Sequence, residues 1–174
     1  MLCVSDQFKY GCITPIIRQQ IIRYAVARLK VIVYNRDRIG EYCGVIMKPN
    51  EIEAWRVVQS SELPQDARLE TYVDTAERLV QINGAPVCVT IGANGCLYSD
   101  GRETVHVASS PTKPPIDIVG AGDTFLATFG LALGAGIDPV VAASFGNLAS
   151  SITVRKIGTT RRNEGKIKRV RLNN

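Results

Sequence analysis

Apolar and polar positions in this chain follow two different periods, and the switches between them mark out its elements. Short apolar, β-branched runs at Leu2 to Val4, Val31 to Tyr34, Val45 to Met47 and Pro86 to Ile91 read as strands. Helical repeats lie between them. Thr14-Pro15 predicts an N-cap followed by proline at the first helical position. Behind it Ile17, Ile21, Ile22, Ala25 and Leu29 recur at helical spacing. Asn50 predicts the cap of a second helix, which carries Glu53. A longer helix is expected from about Asp66 to Gln81, with Leu69, Val73, Ala76, Leu79 and Val80 facing inward. A turn at Gly92 and Gly95 leads into hairpin strands Cys96 to Ser99 and Glu103 to Ala108. Pro111, Pro114 and Pro115 stiffen the loop that delivers Asp117. Apolar helices follow at Ala121 to Ala135 and Asp138 to about Val154. Strands alternating with helices predict an α/β protein whose mostly parallel sheet is wrapped on both faces. Ligands then gather at the carboxyl ends of the strands.

Composition narrows the class. A chain of 174 residues with 45% hydrophobic and 21% charged residues suits one globular domain with a proper core. The apolar run from Val119 to Ile137 is interrupted by Asp123 and several glycines, so it reads as a buried helix and not as a membrane span. Met1-Leu2-Cys3-Val4 is too short and has no basic start, so no secretory signal is expected. Cys3, Cys12, Cys43, Cys88 and Cys96 lack metal-binding spacing and read as small buried hydrophobes in a reducing cytoplasm. His106 is the only histidine, which argues against histidine metal sites and a Ser-His-Asp triad. Between Arg161 and Arg171 lie six basic residues against Glu164 alone. That stretch holds the whole formal net charge of +5. It reads as a solvated tail or linker, and without an aromatic residue it makes nucleic acid an unlikely partner.

The chemistry concentrates in Asp117-Ile118-Val119-Gly120-Ala121-Gly122-Asp123-Thr124-Phe125. Gly120, Ala121 and Gly122 offer bare backbone N–H groups at the start of an apolar helix, where orphan donors and the macrodipole both favour an anion. Asp123 would repel a phosphate unless it takes a proton from a hydroxyl attacking one. The residues alone equally allow a tight turn with an ordinary acidic residue in the first helical turn. Asn50 and Glu53 share a helix face, which suits either Mg²⁺ held largely through water or a capping box.

This stretch resembles the G-A-G-D signature of the ribokinase-like, phosphofructokinase-B-type carbohydrate kinases. Three further segments resemble that family in its order: Lys48-Pro49-Asn50-Glu51-Ile52-Glu53, Thr90-Ile91-Gly92-Ala93-Asn94-Gly95, and Gly146-Asn147-Leu148-Ala149 leading to Lys156-Ile157-Gly158-Thr159. Val4-Ser5-Asp6 to Thr14-Pro15 and Ile152 to Thr160 most resemble the subgroup that phosphorylates heptose 7-phosphate. The resemblance covers roughly residues 1–160, as a C-terminal catalytic and ATP-binding part, with 161–174 as the basic tail. It implies ATP-dependent, Mg²⁺-assisted phosphoryl transfer to a sugar or sugar-phosphate hydroxyl. Asp123 would be the base, and Gly120, Ala121 and Gly122 the anion hole. Asn50, Thr90, Gly92, Gly95 and Asn147 would contact the nucleotide, and Glu53 the Mg²⁺. Asp117 would bind K⁺ with carbonyls near Val119, Lys156 and Gly158.

Relatives in that family place about as many residues again before the first strand, including the Gly-Gly sugar motif, further strands and a β lid. The expectation is therefore an incomplete ribokinase-like α/β/α domain, inactive alone, with an uncovered edge or apolar face near Leu2 to Val4. That face invites either a homo-oligomer or the missing half. Tyr34-Asn35-Arg36, a loosened Asp6 to Gly11, and Ile118-Val119 in place of the common Thr-Thr leave the sugar open. The competing class is a non-catalytic nucleotide-binding subunit acting through a partner or its basic tail.

Overall fold

The β-branched runs form the predicted sheet, because residues of both parities along each strand find an apolar layer to bury against. The protein's structure is a computed structural model that describes residues 1–8, 11–27, 30–111, 114 and 116–155. Leu29, Lys156, Gly158 and the basic tail lie outside the described residues. Strands β1 (Leu2–Asp6), β2 (Val31–Asn35), β3 (Ile46–Met47), β4 (Val87–Thr90), β5 (Cys96–Ser99) and β6 (Thr104–Val107) make one sheet in sequence order. β1 to β4 are parallel, with Val4 opposite Val33, Val33 opposite Met47 and Met47 opposite Val87. β5 and β6 return antiparallel, with Val89 opposite Leu97 and Leu97 opposite His106.

Helices α1 (Pro15–Val26), α2 (Glu51–Gln59), α3 (Leu69–Asn83), α4 (Ala121–Gly134) and α5 (Pro139–Thr153) complete three α/β/α layers. Side-chain parity divides the core. Val31, Val33, Val87, Val89 and Leu97 face Ile21, Ala54, Ala76 and Leu79 of α1 to α3. Ile32, Cys88 and Cys96 face Phe125, Phe129, Leu133, Ala142 and Ala143 of α4 and α5. Fully burying a side chain such as Leu79, Leu97 or Phe129 contributes about 1.5–3 kcal/mol.

The caps are local. Thr14 accepts the Ile17 N–H at 3.3 Å ahead of Pro15, and Asp138 accepts the N–H groups of Val140 and Val141 ahead of Pro139. Gly84 closes α3 in the left-handed region at φ 70°.

Several expectations need correction. Ile17 and Leu69, expected inward, are 45% and 39% exposed, because each lies in the first turn of its helix, beyond the sheet's cover. Cys3, expected buried, is exposed on β1, and Cys12 and Cys43 are exposed as well. A 3₁₀ turn at Ile39–Glu41, absent from the periodicity, buries Ile39 beside Tyr42. β1 is an edge strand with no pairing on its outer side among the described residues. Ile16, Tyr24 and Val26 of α1 and Leu131 of α4 are exposed, as the expected uncovered edge requires. Among the described residues no helix is long and apolar enough to cross a membrane.

Candidate functional site

The parallel strands all deliver their carboxyl ends to one side of the molecule. Asp6 ends β1, Asn35 ends β2, Lys48 follows β3 and Thr90 ends β4. The chain returns to β1 and β2 through the turn at Gly120, whose φ of 76° is left-handed and suits glycine. A Cβ built on Gly120 would meet nothing within 4 Å, so the turn is open on that side. Gly122 sits against Tyr34 of β2, where a Cβ would lie 3.1–3.2 Å from the phenol.

The amides of this turn are only partly committed. Ala121 donates to the Ile118 carbonyl at 3.2 Å, so its N–H is engaged, in contrast to its expected place in the anion hole. The N–H groups of Gly120, Gly122 and Asp123 find no acceptor among the described residues. Gly120 to Gly122 are half-buried, and Asp123 is exposed in the first turn of α4. Ser5, at the end of β1, donates from Oγ to Asp123 Oδ1 at 3.2 Å. This arrangement places a carboxylate beside helix N-terminal donors, which together can take a proton and hold an anion.

The second helix terminus is more closed. Asn50 Oδ1 accepts the Glu53 N–H at 2.8 Å, and Glu53 Oε2 accepts the Asn50 N–H at 2.9 Å. That is the capping-box alternative, fully formed. Glu53 is 4% exposed, and burial raises its carboxyl pKa against the opposing effects of the Asn50 amide and Lys48. Among the described residues no three His, Cys, Asp or Glu side chains cluster for a metal. The donor set therefore fits only a Mg²⁺ bound mainly through waters and ligand phosphates.

Thr90 sits beside Asn50 across the sheet, its N–H donating to Pro49 O at 3.0 Å. Gly92 opens a 3₁₀ turn with Glu51 at its margin. Gly95 is required by packing: at φ 96°, a Cβ would lie 2.1 Å from the Val107 carbonyl oxygen. Asn147, 7% exposed, donates from Nδ2 to that same Val107 oxygen at 2.7 Å, tying α5 to β6. Asp117 accepts the Val119 N–H on Oδ1 at 2.9 Å, while its own N–H donates to Val154 O at 2.8 Å. Of the carbonyls expected to join it, those of Lys156 and Gly158 lie outside the described residues. His106, expected to be a structural or surface residue, is exposed and lies 2.7 Å from the Asn94 carbonyl through Nε2.

The structure adds Ser5, Tyr34 and Lys48, which sequence reasoning did not single out. Lys48 is 1% exposed, with Nζ 4.0 Å from the Tyr34 ring centroid and 5.7 Å from that of Phe125. Burial lowers its pKa, opposed by Cys88, Glu53 and Asp123 in that order. The available signal was a cation directly after an apolar strand and directly before Pro49. A buried network also lies beside the turn. Asp6 accepts from Asn35 at 2.6 Å and Tyr42 at 3.1 Å and pairs with Arg38 at 3.5 Å, next to a cavity of about 340 Å³. A larger cavity of about 390 Å³ lies between α2 and α3, lined by Trp55, Thr71 and Arg78, away from this chemistry.

A three-layer fold with a glycine turn and an acidic residue opening the helix over the first strands is the architecture of a ribokinase-like α/β protein. The pfkB family carbohydrate kinase pattern matches residues 42–165, and the chain belongs to that family. It is 28% identical over 172 residues to the "Bifunctional protein HldE" of Desulfatibacillum aliphaticivorans, covering 96% of this chain and 34% of that protein. It is 40% identical over 124 residues to the protein of the same name from Mesorhizobium japonicum, covering 70% of this chain and 24% of that one. An Arabidopsis thaliana ribokinase solved with ribose and ATP superposes with TM-score 0.70 at 24% identity, covering 90% of this chain and 50% of that chain. The chain thus spans about a quarter to a third of these sequence relatives and half of the ribokinase.

Proposed function

We propose that this chain is the phosphate-handling part of an ATP-dependent kinase that phosphorylates a sugar or sugar-phosphate hydroxyl, with heptose 7-phosphate the leading acceptor. One observation carries the reading: Asp123 is exposed beside the unengaged amides of Gly120 and Gly122, at the carboxyl ends of the parallel strands.

In this reading Asp123 receives the proton of the attacking hydroxyl, while Ser5 holds the carboxylate from β1. The amides at the start of α4 meet the charge that builds on the moving phosphoryl group. ATP supplies that group when bound, and Mg²⁺ supplies charge neutralisation near Glu53. Glu53 Oε2 stays on the Asn50 amide, so the metal would be held indirectly. Thr90, Gly92 and Asn50 line the approach between β4 and α2, and Asp117 with the Val119 carbonyl would take K⁺. Residues from outside this chain would supply the rest of the acceptor site and exclude water. They would pair along β1, from the same polypeptide or a partner. The HldE relatives support the heptose assignment by name and by coverage of this segment.

The test is Asp123→Asn. The chain alone should bind ATP weakly without turning over sugar. Supplied with the sugar-binding half, it gains turnover that Asp123→Asn lowers by roughly 10²–10⁴-fold at nearly unchanged ATP affinity. A variant that keeps its rate refutes Asp123 as the base, and turnover by the chain alone refutes the division of labour.

A further inference from the structure

We propose that Asn94 is a site of spontaneous deamidation, and that the carboxylate formed there weakens the binding of nucleotide phosphates at the adjoining turn. The chemistry rests on Asn94 and Gly95 alone. Its effect on the nucleotide rests on the kinase reading above.

The first argument is a contrast within the chain. Asn-Gly occurs twice, at Asn83-Gly84 and at Asn94-Gly95. Asparagine is a thermolabile residue, and a following glycine, lacking a Cβ, leaves its own nitrogen open to the side-chain amide. The fold locks the first pair. Asn83 is 4% exposed, and its Nδ2 donates to the Val45 and Ala85 carbonyls at 2.8 and 2.9 Å. The Gly84 N–H is engaged by the Val80 carbonyl at 2.8 Å. The second pair is held far less. Asn94 is exposed at the end of the 3₁₀ turn Gly92–Asn94. Its backbone carbonyl meets His106, yet its side-chain amide has no hydrogen bond among the described residues. The Gly95 N–H reaches the Gly92 carbonyl at 3.2 Å, the long end of the normal range.

The step balances with water as its only co-reactant. The Gly95 nitrogen loses its proton and attacks Asn94 Cγ. The new N–C bond closes a cyclic imide, the Cγ–Nδ2 bond breaks, and the amide nitrogen leaves as ammonia with that proton. Water then opens the imide at either carbonyl and leaves aspartate or isoaspartate at this position.

The second argument is place. The turn follows β4, whose last residue, Thr90, bridges to Asn50 at the cap of α2. A carboxylate at position 94 adds a negative charge to the turn that the kinase reading sets against the nucleotide phosphates, and like charges repel. Isoaspartate also lengthens the backbone where it has no slack, since a Cβ on Gly95 would lie 2.1 Å from the Val107 carbonyl oxygen.

Incubation of the full chain at mildly alkaline pH, followed by peptide mapping by mass spectrometry, tests the chemistry. Conversion should accumulate at Asn94 while Asn83 stays intact. Calorimetry with Mg-ATP then compares the unaltered chain with Asn94→Asp, which carries the product's charge, and with Asn94→Gln, which does not. Asn94→Asp should weaken Mg-ATP binding by roughly three- to tenfold, the effect of one like charge in a largely solvated setting. That gap should narrow as salt rises, and Asn94→Gln should bind as the unaltered chain does. An Asn94 that stays intact, or that converts no faster than Asn83, overturns the modification. Equal Mg-ATP affinity for Asn94→Asp and Asn94→Gln overturns its effect on the nucleotide while the kinase reading stands. Absence of Mg-ATP binding to the unaltered chain overturns the kinase reading, and that effect with it, whether or not Asn94 converts.

Discussion

Replacing Asn147 with alanine separates two roles that α5 can play. The Asn147 amide donates to the Val107 oxygen at 2.7 Å in a setting where both residues are 7% exposed. Truncation deletes that bond, leaves part of the carbonyl's capacity unmet and opens a small void. The loss of the bond and the void together cost about 2–3 kcal/mol. For a chain of 174 residues, each kcal/mol lowers the unfolding midpoint by about 2–4 °C, so the expected fall is roughly 4–12 °C. Asn147→Asp should cost more, since it sets a carboxylate oxygen against a carbonyl oxygen. The assay is thermal unfolding followed by circular dichroism, with and without Mg-ATP. An anchoring Asn147 lowers both midpoints and leaves the rise caused by nucleotide intact. An unchanged midpoint without nucleotide, together with a vanished nucleotide-dependent rise, would refute the anchor. It would return Asn147 to the adenine-lining role that the motif suggests.

Two further changes probe the same site and its neighbour. Glu53→Gln keeps an acceptor for the Asn50 amide, because glutamine also closes a capping box. Urea unfolding should therefore shift by no more than about 0.5 kcal/mol, while Mg²⁺ dependence of ATP binding weakens; a large stability loss with intact Mg²⁺ dependence would show that the carboxylate serves the fold alone. Tyr42 has its pKa pushed up to about 12, first by burial and then by Asp6, from an ordinary 10.0. The folded state thus favours the protonated phenol. Its stabilisation is complete below pH 10.0 and is lost as pH climbs toward about 12. Tyr98, also raised to about 12, adds to the same alkaline fall. Tyr42→Phe should flatten that fall in a pH series of urea midpoints, and an unchanged slope would exclude Tyr42 as a cause.

Most of the element order was legible because the apolar period changes cleanly between strands and helices. Three of the four motifs come to the expected end of the sheet, while the Lys156–Thr159 part of the fourth lies outside the described residues. What sequence could not give is which surface another element covers. Ile17 and Leu69 carry the same signal as Ile21 and Ala76, yet they lie past the sheet's reach. Cys3 reads as a buried strand residue, and it is exposed because β1 is an edge. Lys48 was hidden for the opposite reason: a lysine beside a strand ordinarily reads as solvated, and only tertiary packing from β2 and α4 encloses it. Ser5 meets Asp123 across 118 positions of sequence, a distance no local period can register.

A motif residue can match a family and still be needed by the fold. Gly95 cannot carry a Cβ beside Val107, and Asn147 anchors α5 to that same residue. Asn50 and Glu53 cap each other. Each would be retained for folding alone, so the match by itself assigns it no contact with a ligand. The Gly120–Asp123 turn differs. Three of its amides have no acceptor among the described residues, and its carboxylate is exposed. A helix start built for stability alone would cap its donors, as Asp138 does for α5. In the proposed kinase reading an anion completes these open donors, which folding alone leaves without an acceptor.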